Sequence, residues 1–201
     1  MNYLSIAKTY EIIFNKYGAS PKGIDWPNGK KNKLRYDFFL KIIEPDNFSI
    51  LDFGCGYAGF LNYIKNKKNK KIKYFGLDIN QNCIDYCKSK YPNFSFVCCD
   101  ILADNINLNT DYVLMNGVLT ARYNLSNKEM LKVAEDLIRS CFSICKKELF
   151  VNFHSPYITK FKKKLFHPSF EVVAKIAKKN TDKFEIIHGQ IPFEQILVLK
   201  K

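Results

Sequence analysis

Residues 50 to 59 read Ile50-Leu51-Asp52-Phe53-Gly54-Cys55-Gly56-Tyr57-Ala58-Gly59, an apolar run broken by three glycines, and a second apolar run ends at Asp78. An apolar run of this kind followed at once by glycines predicts a buried parallel strand that turns sharply into a helix. Only glycine tolerates such a turn while letting a ligand lie against bare backbone. A carboxylate closing the next strand suits the two hydroxyls of a ribose. A nucleoside-containing cofactor is therefore the first expectation.

Spacing alone leaves two alternatives open. Gly54-x-Gly56-x-x-Gly59 fits the fingerprint of nicotinamide and flavin dinucleotide enzymes, and it also fits a tight turn with no ligand. Asp52 separates these readings, because it stands where the dinucleotide fingerprint expects a small apolar residue and where an unpaired buried carboxylate would be costly. A third strand, Phe94 to Cys98, ends at a further carboxylate, Asp100.

These residues resemble a family. Ile50 to Gly56 with Gly59, then Gly76-Leu77-Asp78, then Cys99-Asp100-Ile101, are similar in order and spacing to the first three motifs of the class I S-adenosylmethionine-dependent methyltransferases. The resemblance covers roughly residues 45 to 200 and implies S-adenosylmethionine as cofactor, with S-adenosylhomocysteine as product. It implies that Asp52, Gly54, Cys55, Gly56 and Gly59 form the turn holding the methionine end. Asp78 would take the ribose hydroxyls, and Asp100 the adenine amino group, with Ile79 and Ile101 flanking the ring. In related enzymes a basic residue before the first strand binds the cofactor carboxylate, which points to Arg35; the alternative for Arg35 is a surface ion pair.

The chain of 201 residues, 47% of them apolar, is long enough to fill one core. A single domain over 1–201 is expected, with 1–44 as an N-terminal helical cap and substrate-side loop and 45–201 as the cofactor-binding core. No stretch approaches the roughly 20 apolar residues of a membrane span, and Glu11 and Lys16 interrupt any signal-like segment, so the expected location is cytoplasmic. Seven cysteines are spaced without a zinc pattern, so no metal is expected. Cys83 with Cys87, and Cys141 with Cys145, read as small buried hydrophobes sharing helical faces.

A formal charge of +13 raises the possibility of a nucleic-acid partner. The lysines of 65–73, however, read as a solvated loop away from the cofactor. Lys160 with Lys162 to Lys164 follows the fifth strand, where it faces either solvent or substrate. A small-molecule acceptor is the favoured partner.

The element pattern is regular. Helices are expected at 3–17, 33–43, 57–67 and 81–89, and strands at 48–53, 72–78, 94–98, 111–116 and 148–153. Ser126 and Glu129 form a capping box for a helix carrying Met130, Ala134, Leu137, Ile138, Cys141 and Cys145 on one face. Runs at 184–187 and 195–199 are joined too closely for a parallel crossover, which predicts an antiparallel hairpin. The resembled fold is an α/β Rossmann-like architecture: a seven-stranded, mostly parallel sheet in the order 3-2-1-4-5-7-6, last strand antiparallel, with helices on both faces.

Ligands in such sheets bind beyond the carboxyl ends of the strands where strand order reverses. That places Asn116 and Gly117, after the fourth strand, across the cofactor from Gly54, and His154, after the fifth, near the acceptor. Asn116 and His154 are the catalytic candidates. His154 would be a general base for a hydroxyl acceptor, or a histidine bonded to backbone. Tyr17 and Trp26 are candidate pocket walls, or packing for the cap helix. The stretch Tyr17 to Trp26 also looks like small bacterial methyltransferases that modify surface polysaccharides or small metabolites. The functional expectation is O- or N-methylation of a small or sugar-linked molecule, with RNA or protein methylation and a non-catalytic binding module as alternatives.

Overall fold

The computed structural model describes residues 3–26, 29–43, 46–65, 71–157 and 162–201. Asn66 to Lys70 of the first lysine run and Lys160 of the second lie outside the described residues.

Two helices, α1 (Leu4–Tyr17) and α2 (Gly29–Ile42), precede the alternating core. Then follow β1 (Asn47–Phe53), α3 (Gly59–Ile64), β2 (Lys71–Asp78), α4 (Gln81–Lys90), β3 (Ser95–Cys98) and β4 (Thr110–Met115). The chain continues through α5 (Asn127–Ser143), β5 (Cys145–His154), α6 (Phe170–Lys178), β6 (Phe184–His188) and β7 (Glu194–Lys200). One sheet results, ordered β3-β2-β1-β4-β5-β7-β6. Strands β3 through β5 pair in parallel, and β7 runs antiparallel to both β5 and β6.

Side chains on a strand alternate between faces, and this sorts the core. Leu51, Phe53, Val113, Met115, Leu149 and Val151 face a cluster built with α5 and α6. Ile50, Tyr112, Leu114 and Phe150 face the other, built with α2, α3 and α4. Phe39, Phe60, Phe150 and Phe153 are all fully buried, each contributing about 1.5–3 kcal/mol of transfer free energy.

Three expectations change at their edges. Helix α2 begins four residues earlier than periodicity suggested, at Gly29, because buried Asn32 and Arg35 give its first turns interior partners. Helix α5 has both halves of its Ser126/Glu129 capping box but stops at Ser143. Cys145 therefore opens β5 rather than sharing a helical face with Cys141, although both are buried. No helix among the described residues is long and apolar enough to cross a membrane.

Candidate active site

At the end of β1 the chain reverses on Gly54, whose φ is +73°. The N–H groups of Gly54 and Cys55 both donate to the Leu77 carbonyl, at 2.7 and 3.0 Å, tying the turn to β2. A Cβ on Gly54 would stand 2.6 Å from a Val118 methyl, so conformation and space both demand glycine. Ala58 adopts a left-handed φ of 58° at the entrance to α3.

Asp78 closes β2 and accepts the N–H of Gly56 at 2.8 Å and that of Asn80 at 2.9 Å. Burial pushes its carboxyl above the usual range, while these donors pull it back. Asp100 accepts the Leu102 N–H at 3.0 Å and takes a short hydrogen bond from the Tyr3 hydroxyl of the cap. Both carboxylates line a cavity of about 170 Å³. Gly54, Gly56, Ile79 and Ile101 line it from the β1 to β3 side, and Asn116 and Gly117 line it from β4. Helix α1 forms the outer wall through Ile6, Tyr10 and Phe14.

Asp52, Cys55 and Gly59 do not line this cavity; they support its floor. The Tyr74 hydroxyl donates to Asp52 at 2.7 Å, which answers the cost of a buried carboxylate in β1. Burial still pushes the Asp52 carboxyl up to about 7. Cys55 lies beside Cys87, and its hydrogen bond to that neighbour together with burial raises its thiol well above the ordinary value. A Cβ on Gly59 would meet the Tyr36 hydroxyl at 2.9 Å.

Arg35 requires a correction. It is 3% exposed and forms neither a surface ion pair nor part of the first cavity. Its Nε donates to Glu194 at 2.8 Å, its Nη2 makes a second, short contact with the same carboxylate, and Nη1 donates to Asn32 at 2.9 Å. The reason is topological: β7 runs antiparallel to β5, which brings its first residue, Glu194, opposite His154. Asn152 Nδ2 donates to Glu194 at 3.0 Å, and Asn152 Oδ1 accepts the Gly117 N–H at 2.6 Å. The Arg35 guanidinium lies 3.7 Å from the centroid of Trp26. Trp26 in turn abuts Gly117, whose φ is +90° and where a Cβ would fall 2.6 Å from the indole.

Trp26 and Tyr10 line both the first cavity and a second one of about 350 Å³. His154, Arg35, Glu194 and Lys31 contribute to the second. Burial lowers the His154 imidazole to about 4 against the opposing pull of Glu194, with His167 5.1 Å away between ring centroids. Tyr17 also requires correction: it lines neither cavity and lies 38% exposed, with the Lys22 ammonium 4.1 Å from its ring. Gly18 caps α1 directly after Tyr17.

Glu194 and Tyr3 were not legible as site residues, since one precedes a strand-like run and the other lies in an amphipathic helix. Asn152 carried a signal: an amide inside Leu149-Phe150-Val151-Asn152-Phe153 must find buried partners. No group of three or more His, Cys, Asp or Glu among the described residues could hold a metal ion.

Comparisons with known proteins agree with this geometry. Residues 50–142 match the model of a family described as a methyltransferase domain. Protein 235L of Invertebrate iridescent virus 6, which bears a methyltransferase name, is 35% identical over 78 residues, covering 39% of this chain and 29% of that protein. The carboxy-S-adenosyl-L-methionine synthase of Campylobacter jejuni subsp. doylei is 27% identical over 154 residues, covering 68% of this chain and 62% of that one. The chain thus spans less than two thirds of the length of these relatives. Among solved structures, the plantazolicin methyltransferase BpumL, in complex with a pentazolic desmethylPZN analog and S-adenosylhomocysteine, superposes with a TM-score of 0.66. It is 12% identical, covering 98% of this chain and 95% of that one. Residues 50–142 are thus similar to the methyltransferase-domain family, and the chain shares the Rossmann-like fold of the solved methyltransferase.

Proposed function

We propose that the chain is an S-adenosylmethionine-dependent methyltransferase acting on a small-molecule acceptor. The observation that carries the reading is the juxtaposition of two cavities across Trp26 and Tyr10. One holds the glycine turn with Asp78 and Asp100, and the other holds His154.

The residues of the first cavity fit the cofactor. Asp78 has both oxygens turned toward backbone donors, yet each keeps a further lone pair for a ribose hydroxyl. Asp100 accepts the Tyr3 hydroxyl at Oδ2 and the Leu102 N–H at Oδ1, and a lone pair left on either oxygen would accept an adenine amino group. Ile79 and Ile101 offer apolar faces to a ring, and Tyr10 and Trp26 offer π faces to a cation.

Bound S-adenosylmethionine would supply a methyl group on a sulfonium, which an acceptor displaces in line. The protein then has to align two reactants, and that alignment is the main catalytic resource. His154, neutral near pH 7, would accept the proton released from an acceptor hydroxyl or amine. Asn116 would orient the acceptor from the β4 side.

Calorimetry with S-adenosylhomocysteine tests the cofactor site. Binding in the micromolar range is expected, weakened roughly 10- to 100-fold in Asp78→Ala through loss of charge-assisted hydrogen bonds. No binding by the wild type, or equal binding by the variant, overturns the reading. Methyl label appearing in RNA or lysate protein rather than in extracted metabolites would replace the small acceptor with a macromolecular one.

A further inference from the structure

A capping residue beside Asp78 carries one more polar group than its cap needs. Asn80 is the N-cap of α4, in extended backbone with φ −88° and ψ 109°, and its Oδ1 accepts the Asn82 N–H at 3.0 Å. That bond fixes the orientation of the amide, because a backbone N–H can be answered only by the carbonyl end. The other end, Nδ2, is buried and has no hydrogen-bond partner among the described residues. Asn80 as a whole is 7% exposed. A buried amide donor left unmade is costly, and serine, threonine or aspartate would cap the helix through an oxygen alone. Capping therefore accounts for Oδ1 and leaves Nδ2 unexplained.

Asn80 lines the first cavity next to Asp78 and Ile79. The Asn80 N–H donates to Asp78 Oδ1 at 2.9 Å and the Gly56 N–H to Oδ2 at 2.8 Å, so carboxylate and amide are held as one unit at the end of β2. This unit offers lone pairs on Asp78 beside a donor on Asn80. A hydroxyl, which both donates and accepts, answers the two together. An ammonium could only donate, and a phosphate would bring a second negative charge against Asp78.

We infer that Asn80 Nδ2 is a second reader of the ribose: it donates to a hydroxyl oxygen whose proton goes to Asp78, so that the cavity selects a nucleoside carrying the ribose diol over its deoxy and phosphorylated forms. The inference rests on the S-adenosylmethionine reading and adds to it a specificity-determining residue. Rejection of a deoxy analogue is expected to be sharp, because losing the hydroxyl leaves a buried carboxylate lone pair and a buried amide unpaired at once.

Calorimetry compares S-adenosylhomocysteine with its 2′-deoxy and 3′-deoxy analogues, in the wild type and in Asn80→Ser, which keeps a capping oxygen and lacks the amide donor. The wild type is expected to bind at least one deoxy analogue roughly tenfold or more weakly than the parent. Asn80→Ser should bind the parent roughly tenfold more weakly, and its penalty for that same analogue should shrink at least threefold, since the donor that read the hydroxyl is gone. A merely structural role for Asn80 would weaken all three ligands alike. Should the serine variant unfold, Asn80→Asp, equal in shape and also a good cap, carries the same comparison. Parent affinity in the variant within twofold of wild type, or an undiminished penalty for both analogues, overturns the inference and leaves cofactor binding standing. Equal binding of parent and analogues by the wild type overturns it as well. Wild type that binds none of the three refutes the methyltransferase reading, and the inference falls with it.

Discussion

Replacing Arg35 by methionine isolates what the buried ion pair does. Arg35 and Glu194 side chains are 4% and 2% exposed, so solvent cannot compensate either charge. In Arg35→Met, Glu194 loses two of its three donors and keeps only Asn152 Nδ2. Removing one partner of a buried pair costs about 3–5 kcal/mol, because the remaining charge is stranded. The loss of the guanidinium from the face of Trp26 adds about 1–2 kcal/mol. Urea unfolding followed by far-ultraviolet circular dichroism, with a slope near 2 kcal/mol per molar, should show the midpoint falling by about 2–3.5 M. The charge explanation makes a second demand. Adding Glu194→Gln to Arg35→Met should recover more than half of the loss, since a neutral amide can retain the Asn152 contact without needing a cation. A loss under about 1 kcal/mol, or no recovery in the double variant, would refute the reasoning.

Three further outcomes follow from individual residues. The Asp52 carboxyl in the fold is raised to about 7, above its unfolded value, so the folded state holds a proton that the unfolded state releases between about pH 4 and 7. Stability is therefore lost as pH rises through that window, by up to about 4 kcal/mol, and urea unfolding of Asp52→Asn should show that dependence removed, with the variant at least as stable as wild type at pH 8. Gly117→Ala places a Cβ 2.6 Å from the indole at a φ of +90°, so a loss of about 1–3 kcal/mol and a shifted Trp26 emission are expected; an unchanged spectrum would show that the indole does not press on this turn. His154 titrates near 4, below its unfolded value of about 6.5, so it contributes stability above pH 6.5 that is lost as pH falls toward 4, about 3 kcal/mol in all. In the pH profile of kcat/KM, His154→Ala should lower the plateau 10²- to 10⁴-fold without removing any inflection between pH 6 and 9; an inflection near 6.5 that vanishes in the variant would contradict the lowered imidazole.

The sheet was legible because parallel strands buried on both faces leave largely apolar runs, as at Ile50–Phe53, interrupted only by Asp52, and at Val113–Met115, and because the last two runs stand too close for a crossover. The first cavity was legible for a related reason. Gly54, Asp78 and Asp100 are read by backbone geometry at strand ends, which sequence order fixes. The second cavity was not, because its members His154, Arg35 and Glu194 meet through the inserted antiparallel strand. Nothing near Arg35 in sequence announces Glu194, 159 residues away, and an arginine before the first strand looks the same whether it faces a ligand or a carboxylate of the fold. Tyr17 failed differently: it is the last residue of α1, and its ring lies 38% exposed beside the Lys22 ammonium instead of lining a cavity.

The partition between the cavities explains why so costly an arrangement is kept. A buried ion pair contributes little net stability, and well-packed apolar replacements are often neutral or stabilising. What the Arg35–Glu194 pair does supply is direction. Glu194 holds Asn152, Asn152 holds the Gly117 N–H, Gly117 leaves room for Trp26, and Arg35 stacks on the indole, so five residues from four separate segments fix one wall. Arg35→Met with Glu194→Leu should therefore recover most of the stability lost in Arg35→Met alone, yet kcat for methyl transfer should stay at least tenfold below wild type, because an apolar pair has no orientational preference to impose on Asn152 or Trp26. Full recovery of both stability and kcat would mean that the wall needs only to be filled, not aimed.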